Sequence, residues 1–354
     1  MESSLYSQLK AAWHPDRLVA LRAGRRPRPI HVQIILSDLC NQSCSFCAYR
    51  MEDGLSTELF ALGELAKFGE NNPKRQIPTA KALEIVEDCA EIGVEAIQFT
   101  GGGEPTVHHD HLRIFSRAQE LGMDTALVTN GVRLKPEEPA IQALMWIRVS
   151  VDAGDAETYS RVRRVAAAHW EKVWANIRAL ARNYGGTLGI GFVTTPENFK
   201  GIESAARLAK DAGASNMRVG AVFSTVGSAF YGDLIPTIQA TIDEAKERVD
   251  GDGFQLIDLF GRRVGDLDAG SPDDPDCGYQ YLTVYIGGDL GIYRCCNTAY
   301  TRAGRVGSLV DQRFRDAVLE YEPFDARQCR HCQFLGINRA INALVRKPEH
   351  ANFV

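Results

Sequence analysis

Six short apolar runs punctuate the first two thirds of the chain, at 31–36, 96–100, 125–129, 146–151, 188–194 and 217–223. Each is rich in Val, Ile, Leu or Phe, as strands buried in a parallel sheet are. Helical segments fill the gaps. Pro78 and Thr79 open one, with Leu83, Val86 and Ala90 on its apolar face and Gly93 at its end. Others run over 111–121, 170–180 and 202–212. Six βα units with right-handed crossovers predict an α/β fold, a partial (β/α)6 barrel. Six strands fall short of the eight that close a barrel, which leaves an opening for a large substrate. Residues 52–77 interrupt the rhythm with Gly54, Gly63, Gly69, Asn71, Asn72 and Pro73, the composition of a loop or lid.

After Phe223 the rhythm stops. A helix is expected over 233–249 and strands over 254–260 and 281–286. Gly287, Gly288 and Asp289 read as a hairpin turn, with a returning strand at 291–294. The pattern therefore divides the chain into an extension (1–29), the barrel (30–225), a linker helix (226–250) and a small α+β domain (251–354). A length of 354 residues suits one large and one small domain. No run reaches the 18 apolar residues of a membrane span, and no basic-then-apolar leader opens the chain. A cytoplasmic, reducing location is expected, where nine cysteines read as metal ligands rather than disulfides. The net charge of −5 argues against broad nucleic-acid binding. Arg22, Arg25, Arg26 and Arg28 crowd the segment before the first strand, and Arg161, Arg163 and Arg164 form a second basic group. Both suit either solvated surface or contacts to phosphate.

Cys40, Cys44 and Cys47 follow the first strand with the spacing C-x3-C-x2-C. Three thiolates on one tight loop can hold three irons of a 4Fe–4S cube. No fourth cysteine lies nearby in sequence, so one iron is left for another ligand. One βα unit later, Gly101, Gly102, Gly103 and Glu104 close the second strand, where glycines let a ligand approach the backbone. Asn130 ends the third strand, and Ser150 and Asp152 end the fourth. A second cysteine set comprises Cys277, Cys295, Cys296, Cys329 and Cys332. Adjacent strand residues point to opposite faces, so only one of Cys295 and Cys296 is expected to bind metal. Structural zinc is the alternative at both sites, although zinc sites more often use paired C-x2-C knuckles than the first loop's spacing.

The first cysteine set, with Phe46 before its last member and the Gly102-Gly103-Glu104 triplet, resembles the radical S-adenosylmethionine (radical SAM) superfamily. The resemblance implies that the open iron chelates the methionine end of S-adenosylmethionine. It also implies a flavodoxin- or ferredoxin-type reductant and a 5′-deoxyadenosyl radical that abstracts a substrate hydrogen atom. On the same basis Gly102, Gly103 and Glu104 contact the methionine amino group, Tyr49 the adenine, and Ser150 and Asp152 the ribose. Arg161 and Arg163 are implied at the methionine carboxylate, and Asn130 among the cosubstrate contacts. The second cysteine set resembles the twitch domain, a short relative of SPASM. That implies a second 4Fe–4S cluster on Cys277, Cys295, Cys329 and Cys332, with Cys295 favoured over Cys296 by the resemblance of its hairpin.

The runs around Cys40–Cys47 and residues 98–108 also resemble radical proteins of tailed phages that act in thymine hypermodification. That implies an isomerase working on amino-acid-modified thymine in DNA, with Arg22, Arg25, Arg26 and Arg28 near its phosphates. The alternatives are a dehydrogenase or epimerase of a small sugar, nucleoside or peptide, and a plain iron–sulfur electron carrier. A carrier needs neither the barrel nor an open iron.

Overall fold

The computed structural model describes residues 4–60, 75–319, 322–350 and 352. The expected loop glycines Gly63 and Gly69 and the run 71–73 lie outside the described residues. Ten strands form one sheet: β1 (His31–Ile35), β2 (Ala96–Thr100), β3 (Asp124–Thr129), β4 (Trp146–Ser150), β5 (Thr187–Thr194), β6 (Asn216–Ala221), β7 (Gln255–Asp258), β8 (Thr283–Ile286), β9 (Gly291–Tyr293) and β10 (Arg305–Ser308). Their order is β10-β9-β8-β1-β2-β3-β4-β5-β6-β7. The six expected barrel strands are present and pair in parallel in chain order. Helices such as Thr79–Glu91, His111–Glu120 and Ala168–Ala181 cover the outside. Ile147, Val149, Ile190, Phe192, Met217 and Val219 turn outward into one continuous core with them.

The alternating residues face the barrel lumen, and there the sheet is not apolar. Gln33 and Gln98 bond to each other across β1 and β2 at 3.3 Å. Arg148 and Arg218 occupy the same inner face on β4 and β6, where neither is fully buried. An apolar count along each strand hides this face, because one row of large hydrophobes is enough to seat a helix layer.

The division expected near residue 250 is not a break in the sheet. Gln255–Asp258 pairs in parallel with β6, with Asn216 opposite Gln255, and so extends the barrel as a seventh strand. The helix Ile235–Val249, expected as a linker, is the crossover into it and buries Ile238, Ile242, Ala245 and Val249. At the other edge, β8 pairs in parallel with β1. Tyr281 and Leu282, expected in that strand, belong to a helical turn before it. The hairpin turn at 287–290 is present, with Leu290 at φ 61°.

The N-terminal extension docks on the end of the chain. Leu18 joins Leu282 and Ile341 in a small separate core. Arg22 donates from Nε and Nη2 to the Leu344 carbonyl at 2.8 and 2.6 Å. It thereby satisfies an orphan carbonyl in the last turn of the helix Leu335–Val345. The Arg26 guanidinium lies over the Tyr281 ring at 5.4 Å. Two of the four arginines expected near phosphate thus hold the extension to the protein. Among the described residues no helix is long and apolar enough to cross a membrane.

Tyr231 locks the ends of β5 and β6 together. Its hydroxyl donates to the Thr194 carbonyl at 3.0 Å and accepts from the Val222 amide at 2.6 Å. Tyr231→Phe leaves both groups unpaired in a buried place. It is expected to cost about 1–3 kcal/mol, read as a lower denaturant midpoint at unchanged m.

Candidate functional site

The cysteine loop leaves the C-terminal end of β1 through Leu36, Ser37 and Asp38, all fully buried. The Ser43 and Ser45 amides donate to the Arg163 and Val162 carbonyls at 3.2 and 2.9 Å, which pins the loop to the end of the helix Ala156–Arg163. The Arg163 side chain then reaches back under the loop. Its Nη1 donates to Gln42 Oε1 at 3.1 Å and lies 3.3 Å from Cys44 Sγ. Its Nη2 pairs with the Asp152 carboxylate. Burial alone would strip the guanidinium of its proton more easily, but Asp152, helped by the neighbouring Cys44, outweighs it and holds the group charged. Asp152 stands at φ 58° and also accepts from the Val193 amide at 2.5 Å.

The glycine run packs against the other side of the loop. Gly103 donates its amide to the Ser37 carbonyl at 3.1 Å, and Glu104 to Leu39 at 3.0 Å. A Cβ on Gly103 would stand 2.3 Å from the Leu39 oxygen, a backbone atom that cannot yield, so only glycine fits. The buried Glu104 carboxylate accepts four bonds: Thr106 N at 3.1 Å, Thr106 Oγ1 at 2.7 Å, Thr129 Oγ1 at 2.6 Å and Asn130 N at 2.7 Å. Burial pushes its carboxyl up, and these bonds draw it part of the way back. Asn130 carries the network on to the loop, donating from Nδ2 to Asn41 Oδ1 at 2.6 Å and standing 3.9 Å from Cys40 Sγ.

The second cysteine set gathers beside β9. Asn338 stands 3.5 Å from Cys277 Sγ and 3.8 Å from Cys332 Sγ. Burial and then the Cys295 charge push Cys277 up to about 11. Cys295 acts on Cys329 and Cys332 in the same way. Cys296 is placed differently. Its Sγ accepts from Gln333 Nε2 at 3.2 Å, and it packs with Tyr49 on an aromatic cluster around Tyr285 and Tyr300. β9 ends at Tyr293, so Cys295 and Cys296 lie in the turn beyond it, and strand alternation does not govern which way they point.

Among the described residues no three His, Cys, Asp or Glu side chains converge as the donors of a single metal ion would. Zinc needs all its donors around one centre. A cube is bound through different irons, so its thiolates stand further apart.

Residues 34–209 match the family model described as the radical SAM superfamily. That stretch is a radical SAM superfamily domain. The chain is 32% identical over 171 residues to an S-adenosylmethionine-dependent nucleotide dehydratase of Flammeovirga pacifica, covering 47% of this chain and 54% of that one. It is 29% identical over 188 residues to a PqqA peptide cyclase of Granulibacter bethesdensis, covering 50% and 49%. The chain thus spans about half the length of the curated relatives it matches. Among solved structures, Streptococcus suis SuiB bound to S-adenosylmethionine superposes with a TM-score of 0.62 at 15% identity, over 92% of this chain and 76% of that one. Native anSMEcpe with bound AdoMet gives 0.58 at 15%, over 90% and 96%. Likeness at that identity shows the fold, here along nearly the whole chain.

The radical SAM loop here fits a three-thiolate cluster by its donors. Burial, followed by the Glu104 and Cys44 charges, pushes the Cys40 thiol up to about 12. Burial raises Cys47 as well. Such thiols keep their protons until cations take their place, as binding of iron would do.

The expected cosubstrate residues are partly brought together. Gly102, Gly103, Glu104 and Asn130 lie against the cysteine loop, and Ser150 faces the lumen over Gly191. Asp152 and Arg163 are also there but are spent on each other, so the forked donors expected at a carboxylate already hold one. Tyr49 packs against Phe60 and Tyr300, and its hydroxyl meets that of Tyr285 at 2.7 Å. Arg161 is placed differently. It is half exposed on the outer surface, near Glu157 and Glu197 at 3.8 and 3.9 Å, because its helix turns that position away from the loop.

Sequence reasoning missed Asp38. This fully buried carboxylate receives Arg75 Nε at 2.8 Å and the Tyr300 hydroxyl, and so ties the cysteine loop to the hairpin region. Its place two residues before Cys40 was the only available signal. Arg148 and Arg263 were missed as well.

Arg163→Ala strands the Asp152 carboxylate in a buried site and is expected to destabilise by about 3–5 kcal/mol. Arg161→Ala, on the surface, should stay within about 0.5 kcal/mol of the parent. Denaturant unfolding of the two variants checks the contrast.

Proposed function

We propose that this chain is a radical SAM enzyme that takes a hydrogen atom from a substrate seated in the barrel lumen. Cys40, Cys44 and Cys47 would hold the cluster that binds S-adenosylmethionine. Cys277, Cys295, Cys329 and Cys332 would hold an auxiliary one. With S-adenosylmethionine and an electron from a flavodoxin- or ferredoxin-type reductant, the first cluster supplies one-electron chemistry that yields a hydrogen-abstracting carbon radical. The protein's share is positioning. Arg163 and the Glu104–Asn130 network fix the loop from two sides, at the strand ends where parallel barrels place their chemistry. That clamp is the observation that carries the reading, because a plain electron carrier has no use for it.

For the substrate, a small molecule is favoured over modified thymine in DNA. The Arg22–Arg28 segment precedes β1, whereas the cysteine loop follows it. Five residues of strand separate the two by roughly 16 Å or more. Arg22 and Arg26 already have protein partners there. Relatives named as nucleotide dehydratases and GTP 3′,8-cyclases support a nucleotide-like substrate. This favours a small nucleoside-like substrate over a base in DNA.

Anaerobically reconstituted protein is expected to carry about eight irons per chain, two four-iron cubes. Changing Cys40, Cys44 and Cys47 together to Ala should halve the iron and abolish 5′-deoxyadenosine formation on reduction. An iron content near half the expected value in the parent, with zinc alongside, would reject the auxiliary cluster.

Of the two adjacent cysteines, Cys295→Ala is expected to lose the auxiliary cluster and Cys296→Ala to keep it. Iron content of the single variants decides, and the opposite pattern would reassign the ligand.

A further inference from the structure

The barrel lumen has a charge arrangement that the cosubstrate chemistry leaves unused. β5 runs between β4 and β6 and offers only Gly189 and Gly191 to the lumen at the levels of interest, opposite Arg148 and Arg218 in register. The two arginines therefore flank a floor to which β5 itself contributes no side chain, with the Asn216 amide over Gly189, on strands roughly 10 Å apart. A Cβ on Gly191 would sit 3.5 Å from Arg148 Cδ and 3.5 Å from Ser150 Oγ. Arg263 comes from the helix Phe260–Ala269 and crosses the end of β6, where a Cβ on Gly220 would meet its Cδ and Nε at 3.6 Å. Tyr6 of the N-terminal segment closes the arrangement. Arg148 bonds to its hydroxyl, and the Arg218 guanidinium lies 5.9 Å from its ring centroid.

The direct partners of these three guanidinium groups are neutral. They are Tyr6 for Arg148 and Arg218, and Gln333 for Arg263. Two carboxylates act on the group from further off: Asp152 on Arg218, already spent on Arg163, and Asp266 on Arg263, shared with Arg262. Arg218 Nε is buried without a hydrogen-bond partner among the described residues. Burial and then the Arg148 charge push Arg218 down to about 9. Burial pushes Arg263 down to about 10. Clustering like charges in a poorly solvated lumen costs stability unless an anion arrives to neutralise them.

We infer that the lumen receives an oxyanion group of the substrate, a carboxylate or a phosphate, held among Arg148, Arg218 and Arg263. Guanidinium forks suit both anions bidentately. Gln333 bonds Arg263 and also donates to Cys296 Sγ, so the anion would anchor the substrate between the two cysteine sites. The inference rests on the reading of the lumen as the substrate site.

The test uses the full chain, reconstituted anaerobically, with inorganic phosphate and succinate as probes and sodium chloride at matched ionic strength as control. A saturable rise in Tm with at least one probe, beyond the chloride effect, is expected. Phosphate alone would assign a phosphate-bearing substrate, and succinate alone a carboxylate-bearing one. Arg148→Gln and Arg218→Gln should each weaken the apparent affinity by about tenfold or more. Without anion, relieved repulsion should offset the lost contact to Tyr6, so Tm should stay close to the parent's. Phenylglyoxal modification of the parent, read by mass at Arg218 with and without the probes, needs no variant and should show protection. No response beyond chloride, unchanged affinity in both variants, or no protection of Arg218 would overturn the inference. Formation of 5′-deoxyadenosine by the parent tests the enzyme reading separately, since probe binding requires no turnover.

Discussion

One buried guanidinium organises the reactive end of this protein. Arg163 joins Asp152 at the end of β4 to Gln42 and Cys44 in the loop after β1, while its backbone carbonyl takes the Ser43 amide. Two ions taken out of water repay their desolvation only when each finds its partner in good geometry. The pair is thus an all-or-none device, and through it the loop has one position relative to the sheet. Three cysteines on an unpinned loop would be free to scatter. Here Arg163 sets the loop from one side and the Glu104–Asn130 network from the other.

The fold was legible where apolar runs carry it. Six barrel strands and their helices follow from runs of Val, Ile, Leu and Phe, because the outward row must seat a helix layer. The position of Gln255–Asp258 was not legible, since a short apolar strand reads the same at the edge of a barrel as in a separate domain. Its place depends on pairing with β6, a long-range choice that local sequence does not encode. Spacing revealed the cysteine loop and the glycine run for a related reason, as both are local. Asp38 with Tyr300, and Asp152 with Arg163, are contacts between distant segments. The types of these residues were visible but their partners were not. Arg163 was expected to hold a ligand's carboxylate and instead holds one from its own chain.

The continuous sheet changes what the C-terminal region can do. Had it been a tethered domain, its cysteines could have stood at varying distances from the first set. Because β8 is hydrogen-bonded to β1, whose end carries the cysteine loop, the two sets are fixed within one sheet. The aromatic cluster of Tyr49, Phe60, Tyr285, Tyr293 and Tyr300 fills the space between the loop and the hairpin, with Asp38 bonded at its edge. A rigid separation is what electron transfer or substrate bridging between two metal sites requires, and neither tolerates a loose hinge.

The same rigidity explains why the lumen can hold three guanidinium groups near one another. On a flexible surface such charges would swing apart into solvent. Here β4, β6 and the helix Phe260–Ala269 fix their backbones, and the glycines of β5 leave no side chain to insulate them. The repulsion is therefore built into the fold and cannot relax. The rings of Trp146, Tyr6 and Phe223 under the three guanidinium groups give them contacts but no counter-charge. The presence of this arrangement in a lumen already flanked by two cysteine sites points to a ligand that supplies the missing negative charge, because Tyr6 and Gln333 hold these groups without neutralising them.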